Sequence, residues 1–196
     1  MSNNIIIPSK KQTLRKNMLS LRSSSDKQDI ERKSKEIFRR LKTVEYYKSA
    51  NGVLLYSDYK NEVKTTNIIL DVEASGRSVF LPVLVDDYKF IACKKSDMTQ
   101  KNRYGIDEPY PIETAEKGSG KIDLIICPGL AFDYNLNRLG RGKGYYDRFL
   151  NDRKNIFKIG LAFEIQIVDN VYPDNHDVPM DMVITEKKIY VLNNKG

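Results

Sequence analysis

Tryptophan is absent from the 196 residues, histidine occurs once and cysteine twice. A lone histidine, His176, with no Cys/His cluster argues against a structural zinc site. Cys93 and Cys127 both fall in apolar, strand-like runs, so they are expected to be buried thiols rather than a disulfide. No apolar run approaches the roughly 18 residues of a membrane span. Ile5 to Ile7, stopped by Pro8, is too short for the core of a signal peptide, and the expectation is a cytoplasmic protein without a membrane partner. Internal repeats and low-complexity linkers are also missing. The length suits one domain over 1–196, and 40% hydrophobic with 30% charged residues is an ordinary globular balance.

A surplus of 33 Lys and Arg over 26 Asp and Glu gives a net charge of +7. This favours anionic partners without separating nucleic acid from nucleotides or polyanionic metabolites. The densest concentration of chemistry is Arg138-Leu139-Gly140-Arg141-Gly142-Lys143-Gly144-Tyr145-Tyr146-Asp147. Arg138, Arg141 and Lys143 carry positive charge, and the glycines let backbone N–H groups approach a ligand. A phosphate cradle and a surface turn with solvated cations both fit this composition. The spacing matches neither the P-loop nor the dinucleotide fingerprint. Asp147, just beyond the glycines, is positioned for a metal ion that accompanies phosphates.

The first 43 residues read as two amphipathic helices, one with Leu14, Met18, Leu19 and Leu21, the other with Ile30, Ile37, Phe38 and Leu41, and Asp26 as a cap between them. Strands are expected at Gly52–Tyr56, Ser78–Val83, Tyr88–Cys93, Ile122–Cys127, Phe157–Phe163, Met182–Thr185 and Ile189–Leu192. Helices are expected at Glu62–Ala74, Tyr145–Asn151 and Ile165–Val171, and Lys94–Lys121 reads as one long loop. The acidic turn Asp86-Asp87 implies a hairpin and therefore some antiparallel pairing. The continuous apolar run to Cys127 suits a sheet centre covered on both faces, with the basic glycine loop directly after it. The pattern predicts an α/β fold: a three-layer α/β/α sandwich with a mixed, mostly parallel central sheet, whose carboxyl edge is the expected ligand site.

Lys11 and Arg15, spaced i, i+4, share a helix face, which is solvated unless that helix docks beside the glycine loop. Tyr145 and Tyr146 can stack on a planar heterocycle or anchor a helix, and adjacent helical positions point apart. Glu62 reads as a helix-start acid or as an acceptor for ring nitrogens, and Asp181 as a turn residue or a metal ligand.

Four pieces together resemble the 5-formyltetrahydrofolate cyclo-ligase, or methenyltetrahydrofolate synthetase, family. They are Pro128-Gly-Leu-Ala-Phe-Asp133, the block from Arg138 to Asp147, the late Asp177-Val-Pro-Met-Asp181 and the early Lys11-Gln12-Thr13-Leu14-Arg15. Tyr104-Gly-Ile-Asp-Glu-Pro109 is similar to the family's central loop, so the likeness spans nearly the whole chain.

The resemblance implies a monomeric enzyme that uses ATP and Mg²⁺ to cyclise 5-formyltetrahydrofolate, with no nucleic-acid partner. ATP would contact Lys11 to Arg15 and Arg138 to Tyr146. Folate would meet Ser57, Glu62 and Arg141, Gly142, Lys143, Gly144 and Tyr145, with Glu62 at the pterin ring. Arg141, Lys143 and Tyr145 are the implied catalytic residues, and Asp147 and Asp181 the implied Mg²⁺ ligands. Two other readings are a basic nucleic-acid module using the same loop as a stacking platform, and a relative with a changed substrate.

Overall fold

The structure is a computed structural model that describes residues 9–96, 98–110 and 121–192. Ile5 to Ile7, and Pro111, Gly118 and Gly120 of the expected long loop, lie outside the described residues. In chain order the elements begin with α1 (Lys10–Ser23), α2 (Lys27–Leu41), α3 (Glu45–Ser49), β1 (Gly52–Leu54), α4 (Thr66–Ala74), β2 (Ser78–Leu84), β3 (Phe90–Lys94), β4 (Thr99–Lys101) and β5 (Asp107–Pro109). They continue with β6 (Leu124–Cys127), β7 (Ala131–Asp133), β8 (Arg138–Leu139), α5 (Tyr145–Asn151), β9 (Phe157–Leu161), a 3-10 turn (Glu164–Gln166), β10 (Ile167–Val168), β11 (Met182–Ile184) and β12 (Ile189–Tyr190).

Seven strands form the central sheet in the order β12-β11-β9-β6-β1-β2-β3. The five inner strands pair in parallel, and β3 and β12 close the edges antiparallel. This is the expected mixed, mostly parallel sheet. Alternate side chains of each strand face opposite layers, as the pleat requires. Val53, Val79, Leu124, Ile126 and Ile159 pack with Ile37 and Leu41 of α2 and Ile68 and Val72 of α4. Leu54, Phe80, Ile125 and Cys127 pack on the other face with Phe149 and Leu150 of α5. Both cysteines are buried and free, as expected.

Helix α1 starts at a capping box: Ser9 Oγ accepts from Gln12 N–H and Gln12 Oε1 accepts from Ser9 N–H. Asp26 caps α2, accepting from the N–H groups of Gln28 and Asp29. The apolar face of α1 differs from expectation, because Met18 is buried while Leu19 and Leu21 are exposed and Arg22 is buried instead. Met18 docks not on the central sheet but on Leu130, Ala131, Leu139 and Val171, around a small sheet ordered β10-β7-β8.

Four other expectations are corrected. The second-layer helix begins at Thr66, not Glu62. Residues 57–65 stay irregular because Asp58 accepts from Thr65 N–H, Thr65 Oγ1 donates to Tyr56 O, and Glu62 accepts from Tyr59 N–H. Ile165–Val171 is not helical, since Gln166 caps a single 3-10 turn and Ile167–Val168 then pairs with Phe132 and Asp133. The expected long loop contains the β4–β5 hairpin, hidden in sequence because β4 is wholly exposed and lacks apolar alternation. The β7–β8 hairpin separates the central strand from the glycine loop, which runs from β8 into α5.

Candidate active site at the carboxyl edge

Strand order reverses at β1 and β6: the chain leaves β1 toward β2 on one side, while β6 lies on the other. Segments leaving the carboxyl ends of such a strand pair diverge and leave a crevice, where open α/β sheets bind ligands. A cavity of about 380 Å³ occupies this place. Tyr56, Ser57, Tyr59 and Glu62 after β1 line one wall, Pro128, Gly129 and Leu130 after β6 the floor, and Arg138, Gly140, Arg141, Lys143 and Gly144 a cationic wall. Pro82, Leu84, Asn102, Tyr104, Ile106 and Glu108 close the remaining side, and Tyr145, Tyr146 and Asp147 come from α5.

The glycine loop turns where only glycine is unstrained: Gly142 has φ 100° and Gly144 φ 66°. Docking of α1 brings Arg15 onto this loop, its Nε donating to Gly140 O at 3.1 Å. The solvated-face reading of Lys11 and Arg15 is thereby set aside. One turn earlier Lys11 Nζ is held by Asp174 at 2.7 Å and Asp177 at 2.6 Å. Burial lowers the Lys11 pKa, but the two carboxylates outweigh it and hold the ammonium above its ordinary value. Gln12, Thr13 and Leu14 lie between these two cations on α1 and do not line the cavity.

Arg138 is buried and donates from Nη2 to Asp147 Oδ1 at 2.8 Å, with its guanidinium 5.4 Å from the Tyr146 ring centroid. Tyr146 packs on Phe90 while Tyr145 stays at the rim, where its hydroxyl donates to Asp86 O and accepts from Arg103. Burial pushes both phenols up, Tyr146 well above its ordinary value, and Tyr104 reinforces the rise at Tyr145. Arg138 Nε and Tyr146 Oη are buried without a hydrogen-bond partner among the described residues. A polar ligand in the cavity would satisfy them.

Glu62 is not at a helix start but in the loop after β1, where Arg141 reaches it at 2.9 Å and buried Arg22 at 3.5 Å. Arg22, absent from the sequence expectations, also donates to Asn61 O and Gly129 O. Its signal was the spacing Lys11, Arg15, Met18, Arg22, which repeats one helix face. Ser57 lines the cavity. Leu139 is buried in β8 under Met18 and contributes packing. Asp147 lines the cavity whereas Asp181 does not; Asp181 Oδ2 accepts from Lys158 N–H at 2.8 Å and pairs with Lys158 Nζ at 2.7 Å. The N–H of Val178 reaches Asp147 Oδ1 at 3.4 Å, while the carboxylate of its neighbour Asp177 is held by Lys11. Elsewhere Lys33, Arg39, Lys64 and Arg77 are each paired with an acid.

Fold and site together define an α/β protein with a cation-lined crevice at the topological switch of its sheet. Residues 7–186 match the model of the 5-formyltetrahydrofolate cyclo-ligase family, and the chain belongs to that family. The mouse 5-formyltetrahydrofolate cyclo-ligase is 31% identical over 71% of this chain and 75% of its own. A probable 5-formyltetrahydrofolate cyclo-ligase of Schizosaccharomyces pombe is 32% identical over 82% and 87%. The solution structure of Aquifex aeolicus 5,10-methenyltetrahydrofolate synthetase superposes with a TM-score of 0.80 at 30% identity, covering 95% of this chain and 94% of that one. Among the described residues no helix is long and apolar enough to cross a membrane.

Proposed function

We propose that the chain cyclises 5-formyltetrahydrofolate to 5,10-methenyltetrahydrofolate at the expense of ATP, releasing ADP and phosphate, as a cytoplasmic monomer. The observation that carries this reading is one cavity with two characters: cations and glycine backbone on one wall, tyrosines and aliphatic side chains on the other. Such a site suits an uncharged bicyclic ring joined to a centre that becomes phosphorylated.

The N5-formyl group is a formamide, and its carbon resists attack by N10. Transfer of the γ-phosphoryl group to the formyl oxygen makes an iminium phosphate. N10 then adds to that carbon, loses its proton, and the C–O bond breaks to release phosphate. This chemistry depends on in-line placement and charge neutralisation rather than on an acid or a base. Arg141 and Lys143 are assigned to the transferring phosphoryl group, with Tyr145 bordering both substrates. Lys11, Arg15, Arg138 and the backbone of 139–146 are assigned to the remaining phosphates. Glu62, which also engages Arg141, is assigned to the pterin ring.

Mg²⁺ supplies charge neutralisation between the phosphates when bound. Asp147 fits this ion, because it is a cavity carboxylate beside the cationic wall. Asp181, the second ligand that the family resemblance implies, is paired with Lys158 and would exchange that partner for the ion. The deciding experiment adds 5-formyltetrahydrofolate, ATP and Mg²⁺ to the protein and follows the methenyl chromophore. ATP- and Mg²⁺-dependent growth of that absorbance is expected, and none would overturn the assignment.

A further inference from the structure

Arg22 stands in the last turn of α1, two turns after Arg15, yet its side chain is only 4% exposed. All three of its guanidinium nitrogens are engaged. Nε donates to Asn61 O at 3.2 Å, Nη1 donates to Gly129 O at 3.4 Å, and Nη2 faces Glu62 Oε1 at 3.5 Å. Asn61 Nδ2 returns a bond to Arg22 O at 2.8 Å. Helix α1, the loop that carries Glu62 and the cavity floor after β6 therefore meet at one buried cation. Burying a guanidinium costs desolvation that an apolar side chain of similar volume would avoid, so packing alone does not account for this residue.

Glu62 Oε1 is shared by two guanidiniums of opposite character. Arg141 has a side chain 42% exposed and reaches it at 2.9 Å, whereas Arg22 is enclosed. Burial pulls the Arg22 pKa below its ordinary value, Glu62 opposes that fall, and Arg141 adds to it. The two cations thus repel each other across the carboxylate they share, and the exposed one is free to leave. The other oxygen, Oε2, accepts the Tyr59 N–H at 3.1 Å. Without Arg141, Glu62 still has one fixed partner on each oxygen.

We propose that Arg22 is a positioning residue of the cyclisation, the fixed counter-charge that holds Glu62 for the ring while Arg141 turns to the transferring phosphoryl group. This rests on the folate-cyclising reading above and on its assignments of Glu62 and Arg141. Arg15 bonds the glycine loop and Arg22 faces Glu62, so α1 sets the spacing between the phosphate wall and the ring carboxylate. The two arginines are about 10 Å apart along the helix axis.

The test is a double-mutant cycle in wild type, Arg22→Met, Glu62→Gln and the double variant, with KM and kcat for both substrates and melting temperature as a fold control. Arg22→Met is expected to raise the folate KM about ten-fold and leave the ATP KM within about two-fold. In the Glu62→Gln background the same change is expected to add less than about two-fold, because Arg22 acts through that carboxylate. A merely structural arginine would give equal losses in both backgrounds and raise both KM values. Either of those results, or a wild-type folate KM in Arg22→Met or in Glu62→Gln, overturns the proposal. Arg22→Lys keeps the charge. If Arg22→Met fails to fold, Arg22→Lys decides: a folate KM within about three-fold of wild type supports the counter-charge, and a larger rise overturns it. A wild type that forms no methenyl product sinks the folate reading itself, so the two failures are distinguishable.

Discussion

Lys11 and Asp177, 166 positions apart in the chain, meet at 2.6 Å, and Asp177 Oδ2 also accepts the Asp174 N–H at 2.9 Å. The loop they close continues to Val178, whose N–H reaches Asp147. One short segment therefore holds a cation of α1 and a carboxylate of α5 on the same side of the glycine loop. Asp177→Asn is expected to raise the ATP KM about ten-fold, the equivalent of one charge-assisted contact, with the folate KM unchanged. Lys11→Ala should match it, and steady-state kinetics in both substrates checks the pair.

The same pair sets a pH window. Burial raises the Asp177 pKa, but Lys11 and the Asp174 N–H outweigh it and hold the carboxyl below its ordinary 3.8. Lys11 is held above its ordinary 10.5. A depressed acid contributes stability above its unfolded value and loses it as pH falls through the native one; a raised base loses it only as pH climbs past its native value. The melting difference between wild type and Asp177→Asn should thus stay constant from about pH 5 to 9 and vanish in acid below 3.8. A difference that changes across the neutral range would contradict the pairing.

Asp147 is bound up with folding as well as with phosphate chemistry. Its partner Arg138 has a side chain only 4% exposed and a second nitrogen, Nε, already unpartnered. Asp147→Ala removes the acceptor of a nearly buried guanidinium, a change worth up to about 3–5 kcal/mol. At about 2–4 °C per kcal/mol for a chain of this size, the melting temperature should fall by roughly 6–20 °C as activity is lost. Asp147→Asn keeps an oxygen for Arg138 and should recover most of the stability without recovering turnover. Calorimetry beside the absorbance assay separates the two roles.

How far the sequence disclosed this site depends on the range of the forces involved. The apolar runs around Val53, Val79 and Ile125 announced a buried parallel sheet, because strand burial is written in local composition. The glycine loop was equally visible, since positive φ at Gly142 and Gly144 demands that residue type. Glu62 was misplaced because its loop is held by side-chain bonds from Asp58 and Thr65, which compete with helix and leave no period. The β4–β5 hairpin escaped because Thr99, Gln100 and Lys101 are all exposed, so nothing alternates. Lys11 with Asp177, and Glu108 with Leu84, are tertiary pairings that no spacing encodes.

The thiols give a chemical check on the sheet. Cys127 is fully buried at the end of β6, and burial pushes its thiol up to about 12; Cys93 is pushed to about 11 by burial and by Glu108. Thiolate is the reactive form, and neither residue supplies it near neutral pH. The native protein should leave a thiol reagent essentially unconsumed at about pH 8, and two equivalents should react once denaturant is added. Rapid native reaction at Cys127 would mean that the sheet centre opens.

Phe132 lies fully buried between two glycines that lack room for a methyl group. A Cβ on Gly129 would come within 2.6 Å of its ring, and one on Gly160 within 2.5 Å. Gly160 is interior to β9, paired with Cys127 and Val183, so the backbone cannot move aside. Gly160→Ala should therefore destabilise by about 1–3 kcal/mol through overpacking, with little effect on substrate KM values because Gly160 is outside the cavity wall. Phe132→Leu alone should also destabilise, by leaving a void. Together the changes compensate in volume, so Gly160→Ala with Phe132→Leu should cost less than the sum of the two. Denaturant unfolding of all four proteins measures that coupling, and strict additivity would show that the ring and the glycine are not in contact.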